Sequence, residues 1–374
     1  MGTMKKRTKF LICMVLTAAI LGACTDKAGV ADTVAESGTE SATAEKLPEV
    51  TLILNQADAG GTVDQPETDA SRGDDESGED IEGAVEVSAD TADARDEADT
   101  TGENAETDAD TGESEATVID GLTVSTVSLT DSMPYASFSA INTGAATLYK
   151  NPDPVRGKYV ICVNAGHGTK GGQSVKTQCH PDGSPKVTGG TTGAGATTAV
   201  AVSSGMTFGD GKSESSVTLA QALILKEMLL DAGYSVLMIR ETDDVQLDNV
   251  ARTVLANEFA DCHIALHWDS SEKDKGAFYC SVPDVASYRA MEPVASTWQK
   301  SHALGDSIIA GLKGQGIKIF SSGTMALDLT QTSYSSIPSI DLELGDKASD
   351  HSDSRLRLNA AGIITGLDAF FGIG

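Results

Sequence analysis

The feature that most constrains the fold is the alternation of short apolar runs with longer amphipathic segments from Arg156 onward. The runs KYVICVNA, YSVLMIR, HIALHW and SIDLELG are typical of buried strands. Residues 216–232 carry apolar side chains at helical spacing, and Gly233 follows in the position that commonly ends a helix. Further helices are predicted over residues 247–260, 286–312 and 356–371. This alternation predicts an α/β domain, in which a mostly parallel, mixed central sheet has helices on both faces.

The first third of the chain has a different composition. Of the 55 acidic residues, 29 lie between Thr25 and Asp120, where only 4 of the 27 basic residues occur. Residues 24–117 contain almost no aromatic side chains and cannot bury enough apolar surface to offset their ordering entropy. We predict a long disordered acidic linker there. The net charge of −28 therefore describes a tail and argues against a nucleic-acid partner.

The N-terminus has the features of an export signal. A cationic start precedes an apolar run at residues 10–20 that is too short to span a bilayer permanently. The segment ends in LGAC, which resembles the lipobox of bacterial lipoproteins. The resemblance implies that Cys24 is acylated and anchors the exported chain to the outer face of the cell membrane or within the cell wall. A signal peptide with an incidental cysteine is the alternative.

The sequence divides into four predicted parts: a signal peptide at 1–23, the linker at 24–117, a short strand-rich arm at 118–155, and a catalytic domain at 156–374. The arm alternates apolar and polar residues, which indicates one or two short strands or a segment packed on the domain. The cysteines beyond the anchor match neither a CxxC zinc site nor a dense disulfide framework. Cys162, Cys262 and Cys280 lie in strand-like runs and are predicted to be buried free thiols.

Four polar residues are predicted to gather beyond the carboxyl ends of the strands, where open α/β sheets hold functional side chains. His167 and His267 follow or end strands, Glu343 lies near the end of the last strand, and Glu214 precedes the first long helix. Two imidazoles and a carboxylate form a catalytic zinc site, and a second carboxylate suits general acid–base chemistry. Each residue alone is a weak signal, because strand-end histidines are often structural and Glu343 could pair with Arg240.

The set and its order resemble the zinc-dependent N-acetylmuramoyl-L-alanine amidases over residues 158–371. NAGHGTKGG resembles the family's DPGHGG motif, and ESSVTLAQALILKEML resembles its E-x-x-L-N-L-x-x-A-x-x-L element. VLMIRETDD, IALHWDSS and IPSIDLELGD resemble V-x-x-T/I-R-x-T-D, S-I-H-A-N-S and P-A-V-L-V-E-L-G-F. The resemblance implies that His167, Glu214 and His267 bind Zn²⁺, and that Glu343 is the catalytic carboxylate. It implies hydrolysis of the amide bond between N-acetylmuramic acid and L-alanine in peptidoglycan.

The sequence departs from the family's pattern at several positions. Asn164 replaces the usual aspartate, Trp268 and Asp269 replace an Ala-Asn pair, and Asp346 stands where an aromatic residue is common. The bulky Trp268 is expected at the edge of the site, where it changes which stem peptide fits or marks a weakened enzyme. Arg240 and Trp268 are therefore the candidate residues for contacting substrate or supporting the ligands.

Residues 169–213 are longer than in the simplest family members and rich in glycine and threonine. We expect a flap over one wall of the cleft, partly strand-like near residues 199–202, that shapes the stem-peptide site. A mobile surface loop without a role is the alternative. His180 within this segment is a possible extra ligand, although a solvated loop histidine is the more common case.

Two other functions remain open from the sequence. A zinc carboxypeptidase or aminopeptidase would need a charged pocket for a free terminus, and no basic cluster lies near the predicted ligands. A non-catalytic wall-binding lipoprotein would fit the altered motif around His267, although all four site residues are retained. The chain is expected to act as a monomer on peptidoglycan.

Overall fold

The computed structural model describes residues 111–373, which lie within one compact unit, Ala94–Gly374. The predicted signal peptide, the anchor at Cys24 and most of the predicted linker fall outside the described residues. Within the part that the structure describes, no helix is long and apolar enough to cross a membrane.

Eleven strands and six α-helices make up the described fold. The strands are β1 (Thr117–Ile119), β2 (Leu122–Ser128), β3 (Ala145–Lys150), β4 (Val160–Ala165), β5 (Lys176–Gln178), β6 (Thr198–Val200), β7 (Ser235–Met238), β8 (Cys262–Asp269), β9 (Ala277–Ser281), β10 (Ile319–Ala326) and β11 (Ser339–Asp346). The helices are α1 (Glu214–Ala232), α2 (Asn249–Phe259), α3 (Ala286–Arg289), α4 (Val294–Gly314), α5 (Thr330–Tyr334) and α6 (Asp353–Phe371). Two short 3₁₀ turns lie at Ala136–Phe138 and Gly172–Ser174.

Nine strands form one mixed sheet in the order β1-β2-β3-β7-β4-β8-β11-β9-β10. The four central strands, β7, β4, β8 and β11, are mutually parallel, so their carboxyl ends meet at one edge. Antiparallel pairing of β3 with β7 and of β9 with β11 extends the sheet on both sides. The predicted mostly parallel, mixed sheet is confirmed. The strands of residues 117–150 belong to this same sheet.

Helices cover both faces of the sheet, as predicted. One apolar core packs α1, α4 and α6 against alternate strand residues such as Ile161 and Ile264. A second core packs α2 and α5 against the opposite face, which includes Cys162 and Leu237. This alternation places Cys162 and Cys262 on opposite faces. All four cysteines of the described residues are buried and free, as the sequence predicted for three of them.

The first long helix has caps that fix where it begins and ends. Ser213 accepts a hydrogen bond from the backbone amide of Ser216, and the helix ends at Gly233, whose φ of 103° lies in the left-handed region. Glu214 is the first residue of α1. A fixed helix start therefore holds this carboxylate at the edge where the central strands end.

Candidate metal centre

Three predicted ligands converge beyond the carboxyl ends of the central strands. His167 follows β4, His267 lies near the end of β8, and Glu214 begins α1. The Nε2 atom of His167 lies 2.8 Å from Oε1 of Glu214. The Nδ1 atom of His267 lies 3.1 Å from both of those atoms. These three donor atoms therefore face a common point, which is the arrangement that a metal ion needs.

Hydrogen bonds orient the first histidine. His167 is buried and has a φ of 62°, and its Nδ1–H donates to the carbonyl of Ser203 over 2.8 Å. The proton on Nδ1 leaves Nε2 with a free lone pair that points at Glu214 and His267. This tautomer is the one that a metal ligand at Nε2 requires.

Glu214 is held by backbone amides as well as by the imidazoles. Met206 donates to its Oε2 atom over 3.0 Å, and Trp268 donates to its Oε1 atom over 3.1 Å. The chain passes close to the site at Gly205, where a Cβ atom would lie within 2.8 Å of His167 and 2.9 Å of Glu214. With a φ of +78° as well, only glycine is accommodated at this position.

The electrostatics of the cluster favour a bound cation. Burial would raise the pKa of Glu214, but the neighbouring imidazoles of His167 and His267 outweigh it and hold that pKa below its usual range. Burial would lower the pKa of His267, whereas Asp341 and Glu214 raise it to about 10. The anionic carboxylates thus favour the protonated, positively charged form of the imidazole. A divalent cation would balance the same negative charge, so the donor set fits a metal ion.

A second group of donors lies beside the first, on the neighbouring strands. Glu343 pairs with His267 in the register of β11 and β8, and Asp341 pairs with Cys280 in that of β11 and β9. Oε2 of Glu343 and Oδ1 of Asp341 are buried without a hydrogen-bond partner. Burial and the neighbouring Asp341 raise the pKa of Glu343 well above its usual range. A carboxyl group in this environment is suited to exchanging protons with a substrate.

Arg240 supports the loop that carries the first ligand. Its buried guanidinium donates to the carbonyls of Ala165, Gly166 and Ser215, over 3.0, 2.8 and 2.8 Å. None of its recorded hydrogen bonds reaches Glu343, so the alternative pairing of these two residues is not observed. The loop after β4 and the start of α1 are therefore tied together behind the metal ligands.

Arg252, which the sequence analysis did not single out, supports the same loop from α2. It donates to the carbonyl of His167 over 2.6 Å and to Oδ1 of Asn164 over 3.0 Å. Asn164 in turn donates through Nδ2 to Nε2 of His263. Burial lowers the pKa of His263 to about 3, so the ring is neutral and accepts this hydrogen bond. An ionised aspartate could not donate there, which accounts for asparagine at this position.

The surroundings of Trp268 and His180 are more buried than the sequence suggested. The Trp268 side chain is 2 % exposed and packs with Phe208, while the residue still belongs to the lining of the cleft and its backbone amide donates to Glu214, so a role of Trp268 at the site stays a prediction. Successive residues of a strand face opposite ways, so the residue after His267 points into the core. His180 is fully buried rather than solvated, and its Nε2 atom lies 3.0 Å from Asp328.

The insertion is attached to the rest of the domain through Asp328. This buried carboxylate receives hydrogen bonds from His180 and from Lys186, over 3.0 and 3.2 Å, and from the amide of Val187 over 2.6 Å. Burial would raise the pKa of Asp328, but these contacts hold it below its usual range. Strands β5 and β6 pair with each other within the insertion. The insertion is thus a folded element.

A cleft of about 580 Å³ lies between the insertion and the site. The three candidate ligands, Asp341 and Glu343 line it. Residues 189–192 of the insertion and residues 327–331 before and within α5 also line it. The insertion therefore contributes to the same cleft as the candidate metal ligands.

Comparisons with known proteins identify the family. A family model described as N-acetylmuramoyl-L-alanine amidase matches residues 161–362, more than half of the chain. Comparison with curated proteins gives no match. Among solved structures, the amidase Ami1 of Mycobacterium smegmatis aligns at 18% identity and a TM-score of 0.47, over 59% of this chain and 100% of its own. The amidase AmiC2 of Nostoc punctiforme aligns at 17% identity and a TM-score of 0.41, over 58% of this chain and 99% of its own.

The family match covers all of β4 but its first residue, together with α1, β8 and β11, and so includes every candidate ligand and Glu343. Enzymes of this description hydrolyse the amide bond between N-acetylmuramic acid and L-alanine in peptidoglycan. This chain belongs to the N-acetylmuramoyl-L-alanine amidase family, and it is an enzyme of peptidoglycan hydrolysis.

Proposed function

We propose that this amidase is zinc-dependent, with His167, Glu214 and His267 as the metal ligands and Glu343 as the general base. The observation that carries the proposal is the convergence of Nε2 of His167, Oε1 of Glu214 and Nδ1 of His267 at 2.8–3.1 Å. Two nitrogen donors and one carboxylate oxygen leave a fourth position open, as catalytic zinc sites do. When bound there, zinc would polarise the scissile carbonyl and make a nearby water more acidic.

The protein's own groups supply the proton transfers. Glu343 faces the cleft beside His267 and has a buried oxygen without a partner. In this position it takes a proton from the attacking water and delivers it to the departing L-alanine nitrogen. Arg240 and Arg252 keep the loop of His167 in place through its carbonyls. The products are a free lactyl carboxylate on the muramic acid and a peptide with a new amino terminus.

The zinc assignment predicts that activity depends on one metal ion per chain. Prolonged chelation is expected to remove the ion and abolish digestion of purified peptidoglycan, because three protein ligands leave the metal open to competitors. Addition of zinc should restore digestion. Metal content is measured by elemental analysis beside each assay. Full digestion by protein stripped of metal would refute the zinc assignment.

The altered sequence around His267 kept a non-catalytic wall-binding role open, and a zinc peptidase was the other alternative. The retained ligand set and Glu343 support catalysis over binding alone. Identification of the released products separates the two enzymes. An amidase yields stem peptides that begin with L-alanine, whereas a peptidase yields fragments cut within the stem.

We also propose that Cys24 anchors the exported enzyme to the membrane and that residues 24–117 carry the catalytic domain into the cell wall as a monomer. The sequence LGAC and the acidic composition of the intervening segment support this arrangement. Mass spectrometry of the mature N-terminus tests the anchor, since it should find a lipid-modified Cys24 as the first residue.

We propose further that the insertion shapes the stem-peptide site. Residues 190–192 line the cleft at the tip of a hairpin closed by hydrogen bonds between Lys186 and residues 195–196. Asp328 holds the base of this hairpin, so the tip can be changed while the attachment remains.

Deleting residues 190–193 is expected to raise KM for peptidoglycan fragments by about 5–30-fold, which corresponds to one or two lost hydrogen bonds. Zinc content and Tm should stay at the wild-type values, because the deletion spares the ligands and Asp328. Steady-state kinetics on fragments with different stem peptides measure the effect. Unchanged KM on every fragment would leave the insertion without a role in recognition.

A further inference from the structure

A carboxylate outside the predicted ligand set lies beside the candidate metal centre. Asp341 is two residues before Glu343 on β11, so both side chains project from the same face of the strand. Its Oδ2 atom lies 3.7 Å from Nε2 of His267, and its Oδ1 atom is buried without a hydrogen-bond partner. Asp341 also lines the cleft. The described residues around Asp341 therefore leave its Oδ1 atom able to accept a further hydrogen bond.

The orientation of His267 determines what Asp341 can do. Nδ1 is the nitrogen that faces the other two ligands, at 3.1 Å from His167 and from Glu214. A metal ion on Nδ1 needs the lone pair of that atom, so the ring proton must lie on Nε2. Nε2 is the nitrogen that faces Asp341. The carboxylate thus lies where the N–H of the metal-bound tautomer would point.

We infer that Asp341 is a positioning residue for the third metal ligand, and that it accepts a hydrogen bond from Nε2–H of His267 when zinc is bound. This inference rests on the proposed metal ligands. At 3.7 Å the two atoms are slightly beyond hydrogen-bond length, and a small rotation of either side chain brings them within it. Such a contact fixes the tautomer and ring orientation, and it makes the imidazole a more basic ligand.

Another arrangement of the same residues is less favourable. Donor atoms of Cys280, Asp341 and Glu343 lie within 4.8 Å of one another, which is close enough for a second cation. Burial raises the pKa of Cys280 well above its usual range, with Asp341 adding to the effect. The thiol therefore resists the deprotonation that metal binding requires. The contact between Asp341 and His267 needs no such step.

The test measures zinc affinity of the full chain by competition with a chromogenic chelator, together with zinc stoichiometry. Asp341→Leu removes the acceptor and is expected to weaken zinc binding about 10–100-fold. Asp341→Asn keeps an acceptor oxygen, so its zinc affinity should stay within a few-fold of that of the wild type. Cys280→Ala changes a neighbour in the same cluster that makes no hydrogen bond with His267, and this variant should bind zinc as wild type does.

Unchanged zinc affinity in Asp341→Leu, while wild type binds one ion, would overturn this inference and leave the proposed function intact. If Asp341→Asn bound zinc as weakly as Asp341→Leu, that result would also overturn the inference, because the amide oxygen of asparagine should still accept the hydrogen bond from His267. Two ions in wild type, with one lost in Cys280→Ala, would favour the second cation site instead. Wild-type protein that binds no zinc would refute the ligand set itself. If Asp341→Leu fails to fold, Asp341→Ala takes its place in the comparison.

Discussion

Glu343→Gln is expected to lower kcat for peptidoglycan hydrolysis by about 10²–10⁴-fold while one zinc ion stays bound. Glutamine has nearly the same shape as glutamate but cannot take and return a proton. The ligand atoms of His167, Glu214 and His267 converge without help from Glu343, so metal affinity should change little. Steady-state kinetics and metal analysis on the same preparation measure both effects.

Glu272→Gln provides a matched control for this prediction. Glu272 is an exposed glutamate that pairs with Lys347, away from the cleft lining, and its substitution should leave kcat unchanged. A Glu343→Gln protein that loses its zinc would show that Glu343 is a ligand. Full turnover with zinc in place would show that the general base is another group.

The central part of the fold could be predicted because its signals are local. The helix α1 and the glycine that follows it were predicted from contiguous sequence, and the structure has both, although the buried face of the helix also includes the polar residues Thr218 and Gln221. The strands β9 and β10 were not predicted. β10 contains Gly323 and Ser321, the latter with a φ of 50°, and its pairing with β9 is irregular. Only the long-range pairing with the rest of the sheet makes this polar segment a strand.

The same holds for the candidate site, where local patterns predict some residues but not the contacts between distant parts of the chain. His167, His267 and Glu343 could be proposed because each lies at the end of a recognisable strand. Asp341 was missed because its nearness to His267 depends on the register of β11 against β8, and register is not visible in one strand alone. His180 was expected in solvent because its partner, Asp328, lies 148 residues later in the chain.

His167→Ala and His267→Ala are each expected to weaken zinc binding on the order of 10²–10³-fold and to remove activity along with the metal. The estimate follows from structural zinc sites, where four ligands together contribute about 10–16 kcal/mol, or about 2.5–4 kcal/mol each. Each histidine places its own donor nitrogen beside Glu214, so the remaining histidine cannot supply the ligand that the substitution removes. The two variants should therefore behave alike.

Thermal unfolding with and without zinc separates metal loss from misfolding. Saturating zinc should raise the Tm of the wild type, because a ligand at 1,000 times its Kd stabilises the folded state by about 4 kcal/mol. The same zinc concentration should shift the Tm of either alanine variant far less. His351→Ala is the control, since His351 pairs with Asp210 outside the ligand cluster and its loss should leave the zinc-induced shift intact. If a histidine variant kept the full shift, that residue would not be a ligand. If both variants kept the zinc-induced Tm shift, the metal would bind elsewhere in the protein.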